Sequence, residues 1–498
     1  MVDKFLITII FLFFVSLAVP AQDTTRINDK YDGTSLPEFR NQLDDIFNDP
    51  NFSNAQWGVM IQSLQTGEYF YKRNADKLLM PASDLKLFTT AAGLILLGSD
   101  YRFSTNLFLR GSLDGSIWRG DLVVQGRGDP TISGRFYNDD MYKVFNNWAD
   151  SLSAYGIDEI TGNLTGDDNA FDDIGLGAGW AWDYESEWFE APSSALSFND
   201  NCVNITVIYN KRTNLPVVSI QPNTKYIVIV NNVLPVSKDS TTVINVHRES
   251  GTNVVTVYGT IREDDSVKTF ATVNNPTQYT MVILKDVLQK KGIKVRGFPM
   301  DVDDITTVLN YKSMKKLCTT YSPPLKEIIK VINKNSQNFF AEQLLKTIGL
   351  EKTGYGTVAN GVKAENKVFS EMGINPESMI LADGSGLSRL DHVTPKQFVA
   401  LLSFMYKNDY FIPFYNSLSI AGVDGSLGNR LQNTNAKDKI RGKAGYLEGV
   451  RSLSGYAFTA DNEPVAFSII VNNFNVPVKL AENIQDLVCL CLANFKRK

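Results

Sequence analysis

The sequence predicts a mixed α/β fold, with a β-rich block set into a domain assembled from both ends of the chain. Three observations predict it. The chain has 498 residues, too many for one ordinary hydrophobic core, so two or three domains are expected. Residues 203–262 are dense in β-branched side chains separated by polar turns, a strand signature. The segments before and after that block alternate between helical and strand patterns, and no internal repeat or low-complexity linker divides them.

In chain order, the apolar run from Phe5 to Val19, followed by Pro20 and Ala21, reads as a secretory signal cut after Ala21. The run is close to the lower limit for a membrane span, so a retained anchor with loose membrane association is the competing reading. Either way the rest of the chain works outside the cytoplasm. Residues 36–48 predict a helix with Asp44 and Asp45 on its wet side. Trp57 to Ser63 and Glu68 to Lys72 flank Gln65-Thr66-Gly67 and predict a hairpin. Pro81-Ala82-Ser83 leads into an apolar helix that stops at Gly98. Strand and turn follow from 102 to 131, then an amphipathic helix over 136–155. The β-rich block shows four strands, at 203–209, 226–230, 243–246 and 254–261. Helices are expected at 279–291, 324–350 and 360–373. The chain then ends in three strands, 441–445, 452–459 and 465–472, and a helix over 478–495.

Composition narrows the class. With 43% hydrophobic and 21% charged residues this is ordinary globular protein, and a net charge of −5 lacks the basic field of a nucleic-acid binder. The four cysteines, Cys202, Cys318, Cys489 and Cys491, read as buried small hydrophobes. No Cys/His cluster has metal-site spacing, so neither a metal nor another cofactor is expected.

The two histidines, His247 and His392, read as structural or surface residues. No nucleophile elbow, phosphate loop or dinucleotide fingerprint is present. A hydrolytic serine without histidine needs another base, and lysine is the usual one. Ser83-Asp84-Leu85-Lys86 supplies both at a helix start, where positions i and i+3 share a face and the helix N-terminus favours an oxyanion. Ser313-Met314-Lys315-Lys316 fits the same short pattern, but it lacks the apolar helix and the Pro-Ala lead-in. Ser336-Gln337-Asn338 falls between two helical stretches, and Lys443-Ala444-Gly445 lies in a predicted strand.

Asp383-Gly384-Ser385-Gly386 reads as a turn needing positive φ. Asp129-Pro130 and the pair Asp167 and Asp168 read as turn or cap residues rather than an acid/base pair. Trp180, Trp182, Tyr184, Trp188 and Phe189 fit packing in the middle of the chain better than a glycan groove, the alternative.

The order Ser-x-x-Lys, Ser-x-Asn, Lys-x-Gly resembles penicillin-binding proteins and serine β-lactamases. The stretch from Ser83 to Ser336 is more than twice that from Ser336 to Lys443. That long insert resembles the class C low-molecular-mass penicillin-binding proteins, the D-alanyl-D-alanine carboxypeptidase/endopeptidase family. Gly128-Asp129-Pro130-Thr131, Trp180-Ala181-Trp182, Ala191-Pro192, Asn201-Cys202 and Asp383–Arg389 resemble it too, so the likeness runs from about residue 40 to the C-terminus.

The resemblance implies a β-lactamase/transpeptidase-like domain, an antiparallel sheet flanked by helices, from 22–105 and 301–498. It also implies a β-rich insert of two subdomains, 106–131 with 203–300, and 132–202. It implies that Ser83 is acylated by the carbonyl between two D-alanines with Lys86 as base. Ser336 and Lys443 relay a proton to the leaving amine, Asn338 holds the substrate's amide side chain, and the backbone N–H groups of Ser83 and Tyr446, beside Gly445, hold the oxyanion. Partners implied are peptidoglycan peptides and β-lactam antibiotics as covalent inhibitors, in a periplasmic or other extracytoplasmic location. A β-lactamase or a non-catalytic peptidoglycan-binding scaffold are the alternatives. One departure stands out. The family usually has hydroxyl residues where this chain has Ala444 and Tyr446. Arg441 or Arg451 could take over the grip on the substrate carboxylate, and the alternative for both is an ordinary surface charge.

Overall fold

The computed structural model describes residues 35–306 and 308–497, so the expected signal over residues 1–21 lies outside the described residues. Among the described residues no helix is long and apolar enough to cross a membrane.

The two chain ends meet in one six-stranded antiparallel sheet. Its order is Ser419–Ile420, Ile440–Leu447, Val450–Phe458, Pro464–Asn472, Gln56–Ser63, Tyr69–Arg73. Gln56 pairs with Asn472 and Ser63 with Val465, which joins an N-terminal strand to a C-terminal one near the sheet's centre. Successive side chains of Pro464–Asn472 point to opposite faces. Val465, Phe467, Ile469 and Val471 enter one core, and Ala466 and Ile470 enter the other. Both faces are covered, so the strand is apolar almost throughout. On the first face lie the helices Leu36–Phe47 and Val478–Asn494, where Phe39 and Phe70 each bring their rings within 5.1 Å of Phe495 or 6.0 Å of each other. On the second face lie Pro395–Tyr406 and the wholly helical lobe behind it. Thr394 and Gln397 form a reciprocal capping box at the start of Pro395–Tyr406. This helix and Phe411–Ser417 are additions to the sequence expectation, although Thr-Pro-Lys-Gln carries the capping signature.

The helix Lys86–Leu97 is buried around its circumference for its first nine residues. It sits among Leu325–Lys334, Asn338–Thr353 and Val358–Glu371. Leu87, Phe88, Ala91, Ala92 and Leu94 make its contribution to that core. A helix apolar all round belongs inside a domain, and here it anchors the segment carrying Ser83 and Lys86.

The insert holds three sheets. A mixed sheet runs Lys294–Val295, Glu159–Ile160, Ile117–Gln125, Ser104–Asp114, Lys315–Tyr321, with Leu164–Asp167 and Pro299–Asp301 alongside. Helices Lys143–Ala154 and Pro276–Lys290 pack with it. Two three-stranded sheets follow, Ser266–Thr272/Cys202–Asn210/Leu215–Gln221 and Val243–Arg248/Val254–Arg262/Val228–Val236. Val203, Ile205 and Val207 of one share a core with Val255, Val257 and Ile261 of the other.

Two expectations about single elements need correction, the start of one helix and two strands. Strand pairing also links segments that are remote in sequence. Glu159–Ile160 and Leu164–Asp167 pair with Ile117–Gln125, and Lys315–Tyr321 pairs with Ser104–Asp114. Pairing partners far apart in sequence leave no local periodicity to read. The helix expected over 136–155 begins only at Lys143, because Asn138 and Asp139 adopt positive φ and end a short turn before it. Strands Leu215–Gln221 and Ser266–Thr272 were not expected. The first carries Pro216, which an edge strand tolerates, and the second alternates Lys268 and Phe270 outward with no continuous apolar run. No disulfide joins the cysteines. Cys202, Cys489 and Cys491 are buried as expected, while Cys318 is half-buried.

Candidate active site

Ser83 lies in a tight 3-10 turn, Ala82–Leu85, immediately before the α-helix that starts at Lys86. Three residues per turn place i and i+3 directly one above the other, closer than an α-turn would. Ala82 enters the turn with φ +48 and no solvent exposure. Its carbonyl abuts Gly386, φ +76, where a Cβ would lie 1.9 Å from Ala82 O. Left-handed backbone at a non-glycine residue needs such surroundings to persist.

Lys86 is wholly buried, and its Nζ makes three contacts: Ser83 Oγ at 3.0 Å, Asn338 Oδ1 at 2.6 Å and the Ser385 carbonyl at 2.6 Å. Burial pushes its pKa well below the ordinary lysine range, and the charge of Lys443 pushes the same way against Asp383, Glu342 and Asp84. A neutral amine has two N–H donors and one lone pair. In that neutral form the two carbonyl-type oxygens, which can only accept, take the two donors and leave the lone pair for the Ser83 hydroxyl. That is the arrangement of a base poised on a nucleophile.

Ser385 O is held in place by the turn that the sequence marked. Asp383 Oδ1 accepts from the N–H groups of Ser385 (3.0 Å) and Gly386 (2.6 Å), and its Oδ2 from Ser388 N (2.7 Å) and Trp180 Nε1 (2.8 Å). Glu342, also buried, accepts from Gly384 N at 3.0 Å, and burial raises its pKa with help from Asp383. Sequence reasoning did not find Glu342, because a lone glutamate inside a helix carries no motif.

Ser336 sits at φ +56 in the break between Leu325–Lys334 and Asn338–Thr353. Its Oγ accepts from Lys443 Nζ at 2.9 Å. Lys443 has no solvent exposure. Burial lowers its pKa and the charge of Asp84 opposes that. Asp84, equally buried, is raised by burial and lowered by Lys443, with the Ser452 and Ser454 hydroxyls beside it. Asn338 Nδ2 donates to Phe189 O at 2.7 Å while its Oδ1 serves Lys86. One N–H and one lone pair of that amide remain for a ligand.

The strand Ile440–Leu447 brings Lys443, Ala444, Gly445 and Tyr446 past the Ser83 turn. Ser452 Oγ, on the neighbouring strand, donates to Pro81 O at 2.6 Å and ties turn to sheet. Ser83, Ser336, Asn338, Ala444, Tyr446 and Arg451 all line one cleft of about 440 Å³. Tyr184, Trp188, Phe189 and Arg389 complete much of its wall. Three of the five aromatics read as packing residues therefore border the cleft, while Trp180 bonds Asp383 and Trp182 is 85% exposed.

The two arginines separate. Arg451 lines the cleft, pairs with Glu482 and donates to Gly445 O at 3.3 Å. Arg441 does not line it. Its guanidinium lies 4.4 Å over the Tyr415 ring, and its Nη1 donates to Asn416 Oδ1. The second Ser-x-x-Lys copy is in the insert with Ser313 and Lys316 exposed. Neither histidine borders the cleft; His392 Nδ1 is 2.8 Å from Leu390 O. Among the described residues, Asp168, Asp301 and Asp303 bring carboxylate oxygens within 4.8 Å of one another, as a cation would need, but none of them borders the cleft.

Comparison with known proteins agrees in sequence and in fold. Residues 39–494 match the D-Ala-D-Ala carboxypeptidase 3 (S13) family. The D-alanyl-D-alanine carboxypeptidase of Actinomadura sp. (strain R39) is 31% identical over 475 residues, covering 93% of this chain and 86% of that protein. The crystal structure of penicillin binding protein 4 from Haemophilus influenzae superposes with a TM-score of 0.78 at 25% identity, covering 90% of this chain and 98% of that one. A second structure of the Haemophilus protein, complexed with a novel β-lactam, superposes with a TM-score of 0.73 at 23% identity over 90% and 98% of the two chains.

Proposed function

The chain belongs to the D-Ala-D-Ala carboxypeptidase 3 (S13) family, and on that premise we propose that it cleaves the D-Ala-D-Ala bond of peptidoglycan stem peptides through an acyl-enzyme on Ser83. The observation that carries this reading is the set of three contacts around Lys86 Nζ. The Lys86 lone pair takes the Ser83 proton as Oγ attacks the scissile carbonyl. The oxyanion forms between the backbone N–H groups of Ser83 and Tyr446, where preorganised donors act on charge that develops in the transition state. The tetrahedral intermediate collapses as the C–N bond breaks. The departing D-alanine amine collects a proton through Ser336 Oγ, which Lys443 resupplies. Water then adds to the acyl carbonyl and releases the shortened peptide. The same step on a cross-linked stem gives endopeptidase action. A β-lactam follows the first half and stops at the ester.

Export fits this chemistry. The apolar run ending at Val19 before Pro20-Ala21 supports a cleaved signal and a periplasmic or other extracytoplasmic site of action, where the substrate is.

The test is a fluorescent penicillin followed over time on a denaturing gel, with Ser83→Ala and Ser313→Ala beside the wild type. A lasting label on wild type and Ser313→Ala, and none on folded Ser83→Ala, is the expected result. A label that disappears rapidly marks a β-lactamase, and no label on wild type marks a scaffold. Either would overturn the proposal.

A further inference from the structure

Next to the cleft lies a larger groove of about 710 Å³, and Trp188 and Asn335 line both. Resting on the peptidase reading of the cleft, we propose that this groove binds the glycan to which the scissile peptide is attached, a chain of N-acetylated amino sugars.

The groove is a joint between the insert and the second motif. Asp200 Oδ2 accepts from Arg135 at 2.6 Å and from Gln337 Nε2 at 3.0 Å. Gln337 is the central residue of Ser336-Gln337-Asn338, so a side chain of the motif is tied directly to the groove wall. Asp200 Oδ1 and Gln337 Oε1 are buried atoms without a hydrogen-bond partner among the described residues, a state that costs free energy unless a ligand or water satisfies it. Asn199, Asp200 and Asn201 adopt left-handed φ in succession, +50, +54 and +53. The loop is held by Asn199 Nδ2 to Cys202 O (2.8 Å) and Asn201 Nδ2 to Pro192 O (2.8 Å). Three such residues in a row are a strained arrangement, and strain of this kind concentrates where side chains must be aimed at a ligand.

The lining fits a sugar better than a peptide. Its charged side chains, Arg135, Lys268, Asp139 and Asp200, cancel in sign. That leaves no net field for the carboxylate and ammonium groups of a stem peptide. Trp188 and Phe270 are 40% and 43% exposed, and both border the groove. Flat apolar rings match the C–H face of a pyranose. The amides of Asn204 and Gln221 offer both a donor and an acceptor to hydroxyl and acetamido groups.

The experiment compares three substrates on the full chain after export. They are a free peptide ending in D-Ala-D-Ala, the same peptide carried on two disaccharide units, and a sugar-free cross-linked peptide dimer. Phe270→Ser and Asn204→Ala are the variants, both outside the proposed catalytic machinery. Wild type should show a KM for the glycan-linked peptide lower by about ten-fold or more, roughly the worth of one good contact set. Both variants should lose that advantage, with penicillin acylation and free-peptide cleavage unchanged. Equal KM values for free and glycan-linked peptide in wild type overturn the proposal. So does an equal gain for the sugar-free dimer that the variants also lose, which would make the occupant a peptide. If wild type neither takes a penicillin label nor cleaves any peptide, the peptidase reading fails. The groove is then judged by calorimetric titration with the tetramer of N-acetylglucosamine: binding lost in both variants supports it, and no binding to wild type removes it.

Discussion

Gly445 approaches Ser83 so closely that a Cβ added to it would lie 2.8 Å from the Ser83 backbone nitrogen and 2.3 Å from Ser452 Oγ. The glycine therefore lets the strand and the nucleophile's turn share one wall, and the two N–H groups proposed for the oxyanion depend on that contact. Gly445→Ala should push the strand off the turn. Removing one oxyanion donor costs roughly 10²–10³ in rate, so second-order acylation by a penicillin should fall by about that factor while the far-ultraviolet circular dichroism is kept. An unchanged rate would show that the oxyanion is held elsewhere.

With Lys86 as the proposed base, its titration should set the acidic side of the pH profile. Only its neutral form has a lone pair. The rate of penicillin acylation should therefore rise with pH through its folded pKa and level off well short of the ordinary lysine value of 10.5. The linkage has the same sign. The unfolded chain binds this proton more tightly than the folded one, so the group weakens the fold as pH falls from the unfolded value toward the folded one. Lys86→Arg cannot lose its proton at any accessible pH, and it should acylate at background rate across the whole profile. A profile that keeps rising to pH 10 would remove Lys86 as the base.

Asp84 and Lys443 control the alkaline side. In the proposed mechanism Lys443 must be protonated to resupply Ser336, and the buried charge of Asp84 favours its protonated form. Asp84→Asn removes that counter-charge, so Lys443 should lose its proton at lower pH. The descending limb of peptide cleavage should move to lower pH, with the ascending limb moving much less. A purely structural defect would lower the whole curve without displacing the limb.

Carboxylate recognition should fall to Arg451, which lines the cleft together with Arg389. A hydrogen bond to a charged group is worth roughly 1.5–3 kcal/mol, and about 1.36 kcal/mol is one decade in rate. Arg451→Met should then cost about ten-fold or more on a peptide acid and little on its carboxamide. Arg441→Met should not distinguish them. Restoring a small hydroxyl with Ala444→Ser should raise acylation by a penicillin. Equal losses on acid and amide for Arg451→Met would assign the grip to another residue.

Much of this was legible in the residues themselves. Ser83 and Lys86 stand three apart before an apolar helix that ends at Gly98, and the marked strands and the C-terminal helix appear within two residues of their expected limits, except that the strand expected at 226–230 runs on to Val236. The turn at Asp383 was legible because glycine at Gly386 satisfies a positive φ that few residues tolerate. The strands Glu159–Ile160 and Lys315–Tyr321 were not legible as parts of one sheet, since their partners are remote in sequence. Nor were the aromatic wall and Glu342, which carry no spacing signal.

What the sequence determined by itself, then, is the chemistry available: a serine with a lysine one turn away, a second serine and asparagine at a helix break, and a lysine and glycine on a late strand. Those are local properties, set by side-chain type and by the backbone preferences of a few neighbouring residues. The tertiary structure decided which charges face which. It buried Lys86 until its proton is weakly held and set Asp84 behind Lys443. It drew Arg441 onto Tyr415 and left Arg451 in the cleft, and it brought Trp188 from the insert to the edge of the site. Desolvation and Coulomb attraction act through space between residues far apart in the chain, so only the folded arrangement fixes them.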